Sequence, residues 1–143
     1  TRITITRRFQ FCAGHRVHRH ESKCNNLHGH NYVLLVEASP KKGLDALGRV
    51  MDFSEVKARI GKWLDAHWDH GFITAAADEE AHNAVKAVNN QKHYMLEDNP
   101  TAENMCLHLI DIIFPCLFQD SAVEITKVTL WETENCYAEV SRG

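Results

Sequence analysis

The 143-residue chain has only 3 prolines and 7 glycines, and no tract rich in Gly, Pro and Ser. That scarcity excludes fibrous repeats and flexible linkers. Its five cysteines (Cys12, Cys24, Cys106, Cys116, Cys136) are odd in number and form no C-x-x-C pair. A secreted disulfide framework is therefore not expected, and reduced thiols in a cytoplasmic setting are. No excess of positive charge exists either. Lys+Arg number 16 against Asp+Glu 19, a net −3, which is the wrong footprint for a dedicated nucleic-acid binder. No apolar run approaches the roughly 18 residues that a membrane helix needs. The opening residues lack the basic, apolar, small-residue order of a signal peptide. The sequence begins at Thr1 without methionine, which reads as a processed or trimmed end.

What is present is an ordinary globular balance, 44% hydrophobic and 24% charged. Residues 1–143 read as one domain, long enough to bury roughly 68–70% of the unfolded surface. Histidine is the exception. There are 10, and five of them (His15, His18, His20, His28, His30) fall between residues 15 and 30. Such density points to a metal or to proton chemistry.

Residues 3–11 alternate, with Ile3, Ile5, Phe9 and Phe11 on one side, which predicts a half-buried strand. Asn31–Ser39 is a second strand, ended by Pro40. Asp52-Phe53-Ser54-Glu55 has the form of a capping box, and Val56, Ile60, Trp63, Leu64 and His67 then recur at helical spacing. A polar helix is expected around Asp78–Val88. A second principal helix opens at Pro100-Thr101-Ala102-Glu103, with Met105, Leu109, Ile112, Ile113 and Leu117 as its stripe. Strand patterning returns at Val123–Thr133 and Cys136–Ser141. The expected class is α+β, a four-stranded antiparallel sheet with two principal helices on one face. Its uncovered edges invite association between subunits.

His28-Gly29-His30 carries the first chemistry. In an extended segment residues i and i+2 share a side, so both imidazoles can reach one ion at about 2.0–2.1 Å. A third ligand is needed, and His15, at the end of the first strand, can pair across. Three histidines leave one position open, as catalytic zinc sites do. His18 and His20 repeat the spacing but lie in a polar run, where two solvated histidines are the plainer reading. Cys24 is compatible with a fourth ligand, a thiolate beside an open site, or an inert thiol; its polar, lysine-flanked setting favours the thiolate. The other four cysteines sit among apolar neighbours and read as packing residues. Asp69-His70 follows the first helix, where an aspartate can orient an imidazole; a surface helix end with a C-terminal histidine is the plainer reading. Glu132 follows Val128 and Leu130 along one strand face. It either accepts a guanidine-like edge, as in a pterin or guanine, or has emerged into solvent.

Together these positions resemble the 6-pyruvoyl-tetrahydropterin synthase / 6-carboxytetrahydropterin synthase family over nearly the whole chain. The resemblance shows in Phe11-x-Ala13-x-His15, Cys24-Asn25-Asn26-Leu27-His28-Gly29-His30-Asn31-Tyr32, Asp52-Phe53, Asp69-His70, Asn99-Pro100-Thr101-Ala102-Glu103-Asn104 and Trp131-Glu132-Thr133. It implies the tunnelling fold, with subunit sheets joining into a barrel and active sites between subunits of a trimer or hexamer. It implies Zn²⁺ on His15, His28 and His30, and Cys24 as catalytic base with Asp69 and His70 relaying protons. Glu132 would anchor the pterin, with Thr101 and Glu103 as further substrate-side residues. The three residues between Cys24 and His28 resemble the carboxy-forming branch of 7-deazapurine (queuosine) biosynthesis. That branch converts 7,8-dihydroneopterin triphosphate to 6-carboxy-5,6,7,8-tetrahydropterin, acetaldehyde and triphosphate. The alternatives are the pyruvoyl-forming synthase and a non-catalytic zinc-binding module. Two departures stand out: Thr74 occupies a position where the family has asparagine, and residues 75–96 are longer than in compact members, as a lid or subunit contact would be.

Overall fold

The computed structural model describes residues 1–19 and 22–143; His20 lies outside the described residues. Alternation along the first segment produces β1 (Ile5–His15), with Phe9, Phe11, Ala13 and His15 buried and the intervening residues turned outward. β2 (His28–Pro40) runs antiparallel to it and buries Tyr32, Leu34, Val36 and Ala38 on the same side. β5 (Val123–Thr133) pairs antiparallel with β2, and β6 (Cys136–Ser141) with β5.

Among the described residues the sheet has six strands rather than the four expected, in the order β4-β3-β1-β2-β5-β6. The two additions, β3 (Gly71–Ala75) and β4 (His93–Leu96), lie parallel on the β1 edge, so the sheet is mixed. Five and four residues long, they are too short for alternation to betray them. The polar helix is present as α2 (Glu79–Lys86), capped by the Asp78 side chain, which accepts from the Ala81 N–H.

α1 (Phe53–His67) starts where Asp52 accepts from the Ser54 N–H at 2.9 Å. Glu55 does not complete a reciprocal box; it reaches Arg59, at 3.1 Å. Val56, Ile60 and Leu64 carry α1 onto the sheet. The second principal helix is one helical rod in three parts: α3 (Ala102–His108), a wider π turn (Leu109–Ile113) and α4 (Phe114–Phe118). Pro115, inside the rod, has no N–H for the carbonyl one turn back, and the widened turn just before it absorbs that mismatch. The turn also shifts the stripe. Ile110, Phe114 and Phe118 point inward with Met105 and Leu109, while Ile112, expected in the core, is 57% exposed.

α1 and the three-part rod bury their stripes in the same apolar core as the inward residues of β1, β2 and β5. Two principal helices thus cover one face, as expected. No helix among the described residues is long and apolar enough to cross a membrane.

The cysteines divide differently from their expected packing role. Cys106 is buried, and burial pushes its thiol up to about 12. Cys12, Cys116 and Cys136 are exposed: Cys12 falls on the outward side of β1's alternation, and Cys136 begins an edge strand.

Leu34 pairs with Phe9 on one side and Leu130 on the other and is fully buried. Leu34→Ala should cost about 2–5 kcal/mol in chemical denaturation. Ile112→Ala should stay within about 0.5 kcal/mol, because the π turn has moved that side chain to the surface. A core-sized loss at Ile112 would contradict the shifted register.

Candidate metal centre and active site

The β1–β2 ladder sets His15 opposite His28 and Ala13 opposite His30. His15 ends one strand and the two β2 histidines share its inward side, so the three rings meet with centroids 4.6 to 5.0 Å apart. One donor atom from each lies within 4.8 Å of the others. Cys24 does not belong to this group. It sits half-buried in the short 3-10 turn Lys23–Asn25, so the gathered set is three imidazoles.

The tautomers of His15 and His28 suit a metal. Nδ1–H of His15 donates to the Pro100 carbonyl at 2.7 Å, and Nδ1–H of His28 to the Asn26 carbonyl at 2.7 Å. Each bond places the proton on Nδ1 and leaves Nε2 with its lone pair. Among the described residues, Nε2 of His15 and Nε2 of His30 are buried with no hydrogen-bond partner. Burial lowers the His15 pKa to about 4 and pushes His30 down as well, so both are neutral near pH 7. A buried, neutral nitrogen that keeps its lone pair, as Nε2 of His15 does, is what a metal requires of imidazole and what an empty core does not tolerate cheaply. The residues fit a metal ion.

Glu132 stands beside the triad, with Oε1 3.3 Å from Nε2 of His30. It is skipped in the β5–β6 pairing, which passes from Trp131↔Tyr137 to Thr133↔Cys136. Such irregularities re-aim side chains at sheet ends. The carboxylate lines two recesses, of about 780 and 380 Å³; the larger includes His30 and Trp131, the smaller Glu103. Thr101 does not line either. Its hydroxyl accepts from the Asn104 N–H at 3.1 Å and so caps α3.

Asp69 and His70 form a pair of their own, Oδ2 to Nδ1 at 3.1 Å. The Cys12 N–H donates to Asp69 Oδ1 at 3.0 Å, and the His70 N–H donates to the Cys12 carbonyl at 2.6 Å. Burial alone would raise the Asp69 carboxyl, but the Cys12 N–H and His70 outweigh it and hold it low. His70 is held at φ 60, a left-handed conformation uncommon for a side-chain-bearing residue. It lines a recess of about 440 Å³ with Cys12, Asn31 and His30. His30 therefore borders both the His70 recess and the larger Glu132 recess, while Cys24 lines neither.

Residues 4–143 match the 6-pyruvoyl tetrahydropterin synthase family. The chain belongs to that family. Among its relatives, the 6-carboxy-5,6,7,8-tetrahydropterin synthase of Rickettsia typhi is 44% identical over 138 residues, 96% of this chain and 99% of that protein. The enzyme of the same name from Haemophilus influenzae is 32% identical, over 94% and 96% of the two chains. The 6-pyruvoyl tetrahydropterin synthase of Caenorhabditis elegans superposes with a TM-score of 0.65 at 25% identity, covering 100% of this chain and 97% of its own. An uncharacterized protein from Wolinella succinogenes shares the fold at a TM-score of 0.79 and 20% identity, covering 100% and 99%. At the position where the family resemblance expects asparagine, Thr74 shares a 2.7 Å hydrogen bond with Nε2 of His93. The long 75–96 stretch supplies α2 and β4.

Three features of this site have no sequence signal. The carbonyls of Pro100 and Asn26 that fix the imidazoles are backbone groups, and the skipped position at Glu132 breaks an otherwise regular strand pattern. Arg16, a candidate for binding phosphates by charge alone, is buried against Asp78.

Purified protein should hold about one metal ion per chain, since three imidazoles suffice to retain it. Elemental analysis should show it lost on replacing His15, His28 or His30 by alanine and kept in His18→Ala. Retention by the His28→Ala variant would undo the assignment.

Proposed function

We infer that the chain is a 6-carboxy-5,6,7,8-tetrahydropterin synthase, a lyase that acts on 7,8-dihydroneopterin triphosphate and releases acetaldehyde and triphosphate. The observation that carries this reading is 44% identity to an enzyme of that name across 99% of its length. The Cys24-x₃-His28 spacing supports the same branch. The metal is zinc, and the reaction belongs to cytoplasmic 7-deazapurine synthesis.

His15, His28 and His30 would hold the zinc, which supplies Lewis acidity toward the hydroxyls of the substrate side chain. Cys24, as thiolate, removes a carbon-bound proton. Its place outside the imidazole group supports an open metal site over a closed Cys-His₃ one. Asp69 orients His70 through Nδ1 and leaves Nε2 to take or give a proton. Glu132 accepts from the amino-pyrimidine edge of the pterin, where a two-donor face offsets the cost of partly burying its carboxylate. Glu103, in the smaller recess with Glu132, stands on the substrate side, and Thr101 serves it by starting α3. Arg16 is committed to Asp78, so the triphosphate falls to exposed cations such as Arg19 and Lys23. The recesses around His30 are completed by other subunits of a trimer or hexamer.

Incubation with 7,8-dihydroneopterin triphosphate should give 6-carboxytetrahydropterin by mass; 6-pyruvoyltetrahydropterin instead would assign the other branch. Cys24→Ala should keep its metal while turnover falls about 10²–10⁴-fold, the usual worth of a positioned base. Loss of metal along with turnover would make Cys24 a ligand. Light scattering at micromolar concentration should give a trimer or a multiple of it, and an active monomer would refute shared sites.

A further inference from the structure

Cys24 lies on the connection that leaves the ladder at His15 and rejoins it at His28. Within that connection the Val17 N–H donates to the Cys24 carbonyl at 2.9 Å. The cysteine is thereby tied to the first residues after β1.

Both neighbours of Val17 are gripped from outside the connection. Arg16 donates from Nε and Nη2 to the two oxygens of Asp78, each at 2.6 Å, and from Nη1 to Glu80 at 2.9 Å. Asp78 is fully buried, and the guanidinium holds its carboxyl below the usual range. On the other side, the His18 N–H donates to Asn99 Oδ1 at 2.8 Å, and Asn99 Nδ2 donates back to the His18 carbonyl at 3.0 Å. Asn99 is itself rooted at the start of α3, where its carbonyl accepts from the Thr101 N–H at 2.8 Å and from the Asn104 amide at 3.0 Å. Each grip makes at least two bonds, so it fixes orientation as well as distance. The first is also withdrawn from water, and removing one partner strands a buried charge.

We propose that Asp78 and Asn99 are positioning residues for Cys24: acting through Arg16 and His18, they hold Val17 from two directions and so place the thiol. This rests on the reading of Cys24 as the proton-abstracting group. It gives the long 75–96 stretch a task in the reaction, since the cap of α2 is also the bracket of the Cys24 connection. Neither residue touches substrate or metal in this role.

Two variants approach Val17 through different elements. Asp78→Asn keeps one oxygen for the α2 cap but turns an amide toward the guanidinium. Asn99→Ala removes the second grip without altering charge. The Val17 backbone amide should exchange with solvent at least about tenfold faster in each by NMR, as expected when its opening free energy falls by about 1.4 kcal/mol. With 7,8-dihydroneopterin triphosphate, kcat should fall roughly 10- to 100-fold, the scale of a displaced reacting group. KM should move less than about threefold, and bound metal should not change. A merely structural role would lower the melting temperature and leave kcat intact below it. Should Asp78→Asn fail to fold, Asn99→Ala carries the same readouts. Wild-type Val17 protection in the folded variants overturns the proposal. So does faster exchange with unchanged kcat, provided Cys24→Ala is inactive. Wild-type turnover by Cys24→Ala would instead overturn the reading of the thiol, and the exchange rates would still report the grip.

Discussion

The ladder between β1 and β2 joins eleven residue pairs in sequence, from Ile5↔Ala38 to His15↔His28. Side chains alternate along each strand, so this register decides which histidines meet. Shifting it by one residue would turn the β2 pair away from His15 and expose Tyr32 and Leu34 at once. The apolar residues of β1 and β2 therefore fix the register for the sake of the core, and the metal centre inherits it. Stability and site geometry share one constraint. The centre sits where the ladder ends, with apolar packing behind it and open recesses in front.

Placing three imidazoles at a buried strand end has an electrostatic consequence. Desolvation disfavours the charged forms of His15 and His30, and the proximity of the other imidazoles adds to the effect for His15. Backbone carbonyls fix the tautomers of two of them, His15 and His28. Those carbonyls come from segments far apart in sequence: Pro100, at the entrance to α3, and Asn26, before β2. The start of α3 thus serves the site twice, once through the Pro100 carbonyl and once through Asn99 on the connection after β1. Glu132 adds a carboxylate beside the triad, delivered by a strand irregularity rather than by regular alternation.

The parallel addition of β3 and β4 to the β1 edge has a comparable double effect. It lengthens the sheet past the strand that ends in His15, and it brings Asp69-His70 against Cys12 at the point where β3 begins. Lys92, just before β4, donates to the Asp69 carbonyl at 2.6 Å and ties the same corner. α2, between these strands, presents the buried Asp78 to Arg16. A segment whose composition gives little hint of structure is therefore bonded to both sides of the candidate site.

Local pattern determined much of this protein. Alternation in 3–11 and 31–39, helical spacing in 56–67 and the i, i+2 histidines are properties of neighbours along the chain, and neighbours are what a sequence displays. The motifs from Phe11 to Thr133 identified the family for the same reason: chemistry that needs particular side chains at particular spacings leaves them in order. Tertiary structure alone decided the rest. β3 and β4 are too short to carry a period and exist because β1 offers an edge. Ile112 left the core because Pro115 forced a wider turn, which shifts a helical stripe that sequence counting assumes to be regular. Cys12 lost its packing role because alternation outranks apolar neighbours. The His15 tautomer and the burial of Arg16 against Asp78 depend on contacts between residues 85 and 62 positions apart, whose energies exist only once the chain has closed on itself.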